Sequence, residues 1–269
     1  ASEAASAARP DILDRNGEVL AADVKTVSIF AEPRRIIDKD EAVELLTAVL
    51  PGLNANDLRE RLGSRRGFVW IKRGVSPAEQ QEVFRLGLPG IKTVPENKRV
   101  YPNGPIAAHV LGATNVDNQG IAGIEKYIDN EGLAALANAG LASDATKLAP
   151  VRLSLDIRVQ HALRDELLKG IEHYKAKAGG GMVIDVTTGE VIALASLPDF
   201  DPNNPKDALD PDKINRIVVG TYEMGSTFKA LTTAMALDSG KLNINSTLDA
   251  RSGLRYGKYT IGDFHPTHR

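Results

Sequence analysis

Short alternating stretches of apolar and polar residues dominate the first part of the chain. Residues 25–30 and 68–74 alternate with the two-residue period of a strand, whereas residues 40–50 carry apolar positions at helical spacing. Residues 76–90 begin with Ser-Pro, and a glutamate follows three residues after the serine, which is typical of a capped helix. An Asn-Gly pair at 16–17 lies between apolar stretches and predicts a tight hairpin turn.

The pattern changes near Pro150. Residues 156–177 form a long amphipathic stretch, which predicts a helix. Residues 180–196 contain two apolar runs around a Thr-Thr-Gly turn, which predicts a hairpin. The small-residue-rich segment 131–150 is weakly patterned, and we interpret it as a connector or an excursion. We therefore place a domain boundary near residue 150.

The stretch from Ser226 to Leu237 is almost entirely apolar or small, and it predicts a helix suited to burial. Lys229 lies in the first turn, three residues after Ser226, and residues three apart share one face of a helix. A serine hydroxyl becomes an effective nucleophile when an adjacent base takes its proton. The sequence thus places a candidate nucleophile beside a candidate base.

A lysine can serve as a base only when its amine is neutral. Burial disfavours the ammonium form, and so does the partial positive charge at a helix N-terminus. The neighbours of Lys229 on the helix face include no carboxylate, so we expect dry and electropositive surroundings. Gly225 permits a sharp entry into the helix, and the amide of Ser226 is placed to donate to a developing oxyanion.

A simpler interpretation of the same residues remains open. Ser226 is then only the N-cap of the helix, and Lys229 extends its ammonium group into solvent. The Ser-x-x-Lys spacing is weak by itself, because such a short pattern also occurs by chance.

Composition narrows the classes of function. The chain has 269 residues, a formal net charge of -2 and no cysteine. The near-neutral charge gives no reason to expect a nucleic-acid partner, and the lack of cysteine excludes disulfides and thiol chemistry. The sequence contains neither an apolar run of about 18 residues nor a signal peptide. We expect neither a cofactor nor a metal.

Other candidate groups have plainer interpretations. Glu125 and Asp129 stand four residues apart and suggest a carboxylate pair, but a solvated helix face is the favoured interpretation. His265 and His268 suggest a metal site, but solvated loop residues are favoured. His109 is interpreted as structural or exposed, as are the other histidines on predicted helices.

Six sequence blocks, in order, resemble those of the class B penicillin-binding proteins, most closely the septal, cell-division peptidoglycan transpeptidases. The blocks are RPDILDRNGEVLA (9–21), ENKRVYPNGPIAAHVLG (96–112), GIAGIEKYID (120–129), LSLDIRVQ (153–160), GGGMVIDVTTGEVIALASLPDFDPN (179–203) and NRIVVGTYEMGSTFK (215–229). The chain departs from the family pattern at Pro10, Met224 and Ala230, and these departures spare both reactive groups.

The resemblance implies an α+β protein with two domains. Residues 1–150 would form an elongated, non-catalytic pedestal domain of the dimerisation type. Residues 151–269 would form the N-terminal portion of a penicillin-binding transpeptidase domain, an antiparallel sheet packed by helices.

The resemblance also assigns chemistry. Ser226 would attack the D-Ala-D-Ala bond of a peptidoglycan stem peptide, release D-Ala and form an acyl-enzyme that a second strand's amine resolves into a crosslink. Lys229 would be the general base, and β-lactam antibiotics would acylate Ser226. The family's Ser-x-Asn and Lys-Thr-Gly motifs do not occur in 230–269. We therefore expect residues 1–269 alone to be inactive or weakly active, as part of a longer enzyme that is incomplete here at its C-terminus.

Partners and location follow from the same resemblance. The expected partners are stem peptides, β-lactams, a polytopic glycan polymerase and other divisome proteins. The expected location is the periplasm, with a membrane anchor preceding Ala1. A non-catalytic penicillin-binding scaffold or β-lactam sensor is the alternative function.

Overall fold

A computed structural model describes residues 8–132, 148–249 and 251–262. The histidines at 265 and 268 and most of the 131–150 segment lie outside the described residues. The chain divides into two compact units, Ala1–Gly220 and Thr221–Arg269, each described by itself below. The division near residue 150, which lies within the first of these units, stays a prediction.

The first unit mixes short strands and helices, as the hydrophobic pattern predicts. Its strands are β1 (Ile12–Leu13), β2 (Val19–Ala31), β3 (Val69–Val75), β4 (Ile91–Val100), β5 (Ala113–Thr114), β6 (Gly120–Ala122), β7 (Val151–Arg152), β8 (Gly179–Ile184) and β9 (Val191–Leu197). Its helices are α1 (Lys39–Val49), α2 (Ala55–Gly63), α3 (Pro77–Arg85), α4 (Ala108–Leu111), α5 (Gly123–Tyr127), α6 (Ile157–Tyr174) and α7 (Arg216–Val219).

The long strand β2 organises the first unit. It pairs antiparallel with β4 on one side and with β3 on the other, and its start pairs antiparallel with β1. Apolar side chains of β2 and β3 pack in one core with residues of α1, α2 and α3. The fully buried members of this core include Ile29, Ala31, Ala42, Leu46, Leu50 and Leu62.

Local sequence signals explain how the helices begin. Asp38 and Asn54 cap α1 and α2 by accepting hydrogen bonds from backbone N–H groups of the first turn. Ser76 and Glu79 form the predicted capping box at the start of α3, with Pro77 in its first turn.

A second core joins parts of the chain that are distant in sequence. Strand β1 runs parallel to β7, with Ile12 opposite Val151, and α6 begins shortly afterwards. Ile12, Leu155 and Ile157 are buried together in this core. The hairpin of β8 and β9 confirms the pattern predicted at 180–196, and β9 is largely buried.

A buried ion network contradicts the expectation for Glu125 and Asp129. Glu125 is fully buried between two guanidinium groups, with Arg9 Nε at 2.8 Å and Arg99 Nε at 2.7 Å. Arg9 also pairs with Asp129, and Arg99 pairs with Asp23. The interpretation as a solvated helix face is wrong, because Glu125 is buried. Spacing along the helix does not reveal this, since both arginines come from segments far away in sequence.

The second unit contains a helix, α8 (Phe228–Asp238), and a short antiparallel hairpin of β10 (Leu254–Tyr256) and β11 (Tyr259–Ile261). Across the described ranges 8–132, 148–249 and 251–262, no helix is both long and apolar enough to span a bilayer. The α+β prediction is confirmed.

Candidate active site

Ser226 and Lys229 lie at the start of the predicted helix. A 3₁₀ turn, Gly225–Thr227, carries Ser226 and runs directly into α8, whose first turn carries Lys229. The backbone N–H of Phe228 donates to the carbonyls of Gly225 and Ser226, so the 3₁₀ turn and the helix form one continuous segment. Both residues therefore occupy the turn-and-helix start that the sequence predicts.

Gly225 sets the entry to this segment. Its φ of +53° lies in the left-handed region, which residues with a Cβ adopt at a cost. An added Cβ would meet no atom within 4 Å, so the backbone angle, and not crowding, is what favours glycine at this position. The N–H of Thr227 donates to the Met224 carbonyl at 3.2 Å and is the first backbone donor of the turn. The N–H of Ser226 comes one residue earlier in the chain, at the open N-terminal end of the turn.

The capping interpretation of Ser226 gains no support from its contacts. Within the part of the chain that the structure describes, neither the 3₁₀ turn nor α8 has a side-chain cap hydrogen bond at its start. The hydroxyls of Thr232 and Thr233 instead donate back to the carbonyls of Phe228 and Lys229, at 3.2 and 2.8 Å. The structure therefore does not place Ser226 as a side-chain cap of either element.

The expected dry surroundings of Lys229 are absent from the described residues. Ser226 and Lys229 are both exposed, and no residue of α8 is buried. The apolar side chains of the helix are exposed as well, with Phe228 at 58%, Leu231 at 60% and Met235 at 69%. The expectation of burial is not met within the second unit, where no described residue of α8 is buried.

Two residues of the first unit make long-range contacts that sequence spacing does not reveal. His109 and Asn203 each make a polar contact across more than 100 positions of sequence, the first with the Lys213 carbonyl and the second with the backbone of Tyr101. Both lie in blocks that carry the family resemblance, but spacing gives no sign of either contact.

Two protein families match the chain. Residues 4–132 match the Penicillin-binding Protein dimerisation domain, and residues 179–269 match the Penicillin binding protein transpeptidase domain. The two families therefore follow each other in the order that the six sequence blocks predict.

Curated relatives extend this match over nearly the whole chain. The chain is 40% identical to the probable peptidoglycan D,D-transpeptidase FtsI of Caulobacter vibrioides over 97% of its length, which is 43% of that protein. It is 33% identical to the peptidoglycan D,D-transpeptidase FtsI of Escherichia coli over 91% of its length, which is 45% of that protein. The chain thus spans about half the length of the curated relatives it matches.

Solved structures support the fold. The chain superposes on the Penicillin-Binding Protein (PBP2) from Helicobacter pylori with a TM-score of 0.70 at 21% identity, over 97% of this chain and 58% of that one. A peptidoglycan synthetase from Bifidobacterium adolescentis gives a TM-score of 0.63 at 24% identity. With its two domain families in this order and its relatives of the FtsI type, the chain belongs to the class B penicillin-binding proteins, in the septal branch of the family.

Proposed function

We propose that the protein is a peptidoglycan D,D-transpeptidase that crosslinks stem peptides during cell division, with Ser226 as nucleophile and Lys229 as general base. The observation that carries this proposal is the placement of Ser226 and Lys229 on consecutive turns of one segment, within the residues that match the transpeptidase domain. The curated relatives are named peptidoglycan D,D-transpeptidases, which supports the same chemistry.

The proposed reaction has two acyl transfers. The Ser226 oxygen attacks the carbonyl carbon of the D-Ala-D-Ala bond while Lys229 accepts the hydroxyl proton. The C–N bond breaks, and the leaving D-Ala nitrogen takes a proton, which leaves an acyl-enzyme ester. The amine of a neighbouring stem peptide then attacks the ester, and Ser226 Oγ regains its proton. The N–H of Ser226, at the open start of the turn, is the proposed oxyanion donor.

The base role sets a condition on the surroundings of Lys229. An ammonium group in water is a poor base, so the amine has to be desolvated before it can take the proton. The exposed apolar face of α8 suits a cover of apolar residues, and we propose that such a cover forms in the working enzyme. Residues 151–269 are proposed to contribute to the transpeptidase domain and residues 1–150 to a non-catalytic pedestal.

Location and partners are proposed from the relatives. The protein is proposed to be anchored in the membrane, with this region in the periplasm. It is proposed to act beside a glycan polymerase and other division proteins. A solved structure of the Helicobacter pylori PBP2 contains MreC, which supports a protein partner of this general kind. β-Lactams are proposed to acylate Ser226 as substrate mimics.

Labelling with a fluorescent penicillin tests the nucleophile. The experiment uses the protein as its gene encodes it, with Ser226→Ala as the test variant and Ser239→Ala, at the far end of α8, as the matched control. We expect wild type and Ser239→Ala to be labelled and Ser226→Ala to remain unlabelled. Equal labelling of wild type and Ser226→Ala would overturn the assignment.

A second pair of variants tests the base. Lys229→Arg keeps the positive charge but cannot lose it, so we expect acylation to fall by about 10²-fold or more. Lys241→Arg, an exposed lysine of the same unit, is the control. A wild-type acylation rate in Lys229→Arg would refute the base role. Repeated release of D-Ala from a stem-peptide substrate, together with formation of the crosslinked product, distinguishes a transpeptidase from a scaffold or sensor that is acylated without turnover.

A further inference from the structure

Two adjoining loops at one end of the β2–β3–β4 sheet carry a concentration of arginine. The turn Pro33–Arg35 follows β2, and residues 64–67 precede β3. An Nη2 hydrogen bond from Arg34 to the Arg65 carbonyl, at 3.2 Å, holds the two loops side by side. We define the basic surface as Arg34, Arg35, Arg65 and Arg66, all of which are exposed.

Most of the charge on the basic surface is not neutralised by neighbouring acids. Arg35 pairs with Glu32 at 2.9 Å, and Arg34 contacts a backbone carbonyl. The guanidinium groups of Arg65 and Arg66 make neither a hydrogen bond nor an ion pair with the residues that the structure describes. Residues 61–78 contain five basic residues and no acidic one, although the chain as a whole has a net charge of -2. This end of the first unit is therefore distinctly positive.

A cluster of three aromatic rings lies on the sheet next to these loops. Phe30 stands between Ile29 and Ala31, whose side chains belong to the core with α1, α2 and α3, so Phe30 projects from the opposite face of the sheet. Trp70 is its partner across the β2–β3 ladder. Phe68 stacks on Phe30 with centroids 4.6 Å apart and meets Trp70 edge-on at 4.8 Å. All three rings are partly exposed, and we call them the aromatic cluster.

The basic surface and the aromatic cluster are continuous along the chain. Phe68 follows Arg66 by two residues, and Phe30 precedes Glu32 by two. Farther along β3, the Arg73 guanidinium lies 4.7 Å from the centre of the Trp70 ring, but its N–H groups already bind carboxylates. The guanidinium groups still available to a ligand are consequently those of the basic surface, beside the rings.

This combination of side chains indicates the chemistry of a partner. Arginine and aromatic residues are enriched in protein interfaces, whereas lysine is depleted there. The planar guanidinium also matches a carboxylate with two parallel hydrogen bonds, which an ammonium group cannot form. An anionic membrane surface, by contrast, attracts lysine and arginine alike. A peptide that carries both carboxylates and apolar side chains fits the surface best.

We propose that the basic surface and the aromatic cluster together bind an acidic segment of a partner protein. Carboxylates of that segment pair with Arg34, Arg65 and Arg66, and an apolar side chain of the segment packs against the exposed edges of the rings. The inference does not depend on the reaction proposed for Ser226, because all the residues that carry it lie between 30 and 70 in the first unit.

Binding of a synthetic peptide tests the charge complementarity. The probe is a fluorescein-labelled peptide of two Glu-Glu-Phe-Asp-Glu-Leu repeats, and its binding to the gene-encoded protein is measured by fluorescence anisotropy. We expect the double variant Arg65→Ala/Arg66→Ala to bind about tenfold more weakly than wild type, because two charge-assisted contacts are removed. Lys177→Ala/Lys206→Ala is the matched control, since it removes the same charge from exposed positions outside the surface.

The control and a neutral probe define the outcomes of this test. The control variant should bind as wild type does, and a peptide with Gln and Asn in place of Glu and Asp should not bind. Absence of binding to wild type, or equal losses in the two double variants, would overturn the proposal. Circular dichroism establishes that the variants are folded, which we expect because both arginines of the test variant are exposed and unpaired among the described residues.

A conservative variant separates a protein partner from a membrane surface. Arg65→Lys/Arg66→Lys keeps the charge but loses the two-point geometry, so we expect it to bind the peptide several-fold more weakly than wild type. Vesicles of phosphatidylglycerol and phosphatidylcholine are the second probe, with co-sedimentation as the measurement. Binding to these vesicles that is equal in wild type and the lysine variant, without binding of the peptide, would identify a membrane surface and overturn the proposal.

Trp70 reports on the aromatic cluster directly. It is the only tryptophan of the 269 residues, and the difference in emission between wild type and Trp70→Phe isolates its signal. Unlabelled peptide, which contains no tryptophan, should change this signal at the concentrations that saturate the anisotropy. A peptide that binds without any change in the Trp70 emission would overturn the placement of its apolar side chain on the rings.

Discussion

The carboxylate of Asp14 accepts a hydrogen bond at 3.2 Å from the backbone N–H of Ile157, the first residue of α6. The same carboxylate accepts from the N–H groups of Asn16 and Glu18, at 2.7 and 2.9 Å, and so forms the hairpin turn as well. Burial opposes ionisation, but these three hydrogen bonds together hold the pKa of Asp14 below its ordinary value. One side chain therefore joins the first hairpin to the start of the longest helix.

Asp14→Asn should lower the free energy of unfolding by about 1–3 kcal/mol. The asparagine side chain keeps one acceptor oxygen, but its NH₂ group then faces a backbone N–H that also donates, so one hydrogen bond is lost. Chemical denaturation of the two proteins measures the difference. Asp11→Asn is the control, since Asp11 is exposed and precedes the same turn. Equal losses in the two variants would contradict the role given to Asp14.

Glu125→Gln tests the buried ion network. The variant leaves the Arg9 and Arg99 guanidinium groups without their shared carboxylate, and breaking a buried pair of this kind costs about 3–5 kcal/mol. Glu82→Gln removes an exposed pair with Arg85 and should change stability by less than about 0.5 kcal/mol. Unfolding curves for both variants measure the contrast, which a small loss in Glu125→Gln would refute.

The pair of Lys72 and Glu79 predicts a pH dependence. A hydrogen bond from the Lys72 ammonium, at 2.6 Å, is the main cause that lowers the pKa of Glu79 from 4.5 to about 2. A lowered folded-state pKa contributes stability that is fully present above the unfolded-state value. That contribution is lost as the pH falls from about 4.5 toward 2. Glu79→Gln should therefore flatten the stability profile in this window, and an unchanged profile would speak against the pair.

Gly112→Ala should prevent correct packing of the segment around α4. The Gly112 φ is +76°, and an added Cβ would lie 1.8 Å from the Ala122 carbonyl oxygen. The backbone of Ala122 and Gly123 cannot move far enough to make room for this Cβ, so we expect a severe loss of folded protein. Gly63→Ala is the matched control, because its Cβ would meet nothing within 4 Å and alanine favours a helix by about 0.5–1 kcal/mol. Circular dichroism melting compares the two.

Local signals predict the fold well where the cause is local. The Ser76 capping box, the Asn16-Gly17 turn and the helix from Phe228 each depend on residues a few positions apart, and each is confirmed. The burial of Glu125 and the contact of His109 could not be predicted, because their partners lie 26 to 116 and 104 positions away. The apolar pattern of α8 predicts that the helix can pack against other residues, but it does not identify those residues.

The parallel pairing of β1 with β7 brings residue 12 beside residue 151. The chain therefore departs and returns at neighbouring places, and the core formed by β3, α1, α2 and α3 between them is separate from the core at this junction. The backbone N–H groups of Val151 and Leu153 donate to the carbonyls of Asp11 and Leu13, so the junction itself is closed by residues at the two ends of the intervening segment. Changes confined to the core of α1, α2 and α3 can therefore accumulate while the pairing of β1 with β7 is kept.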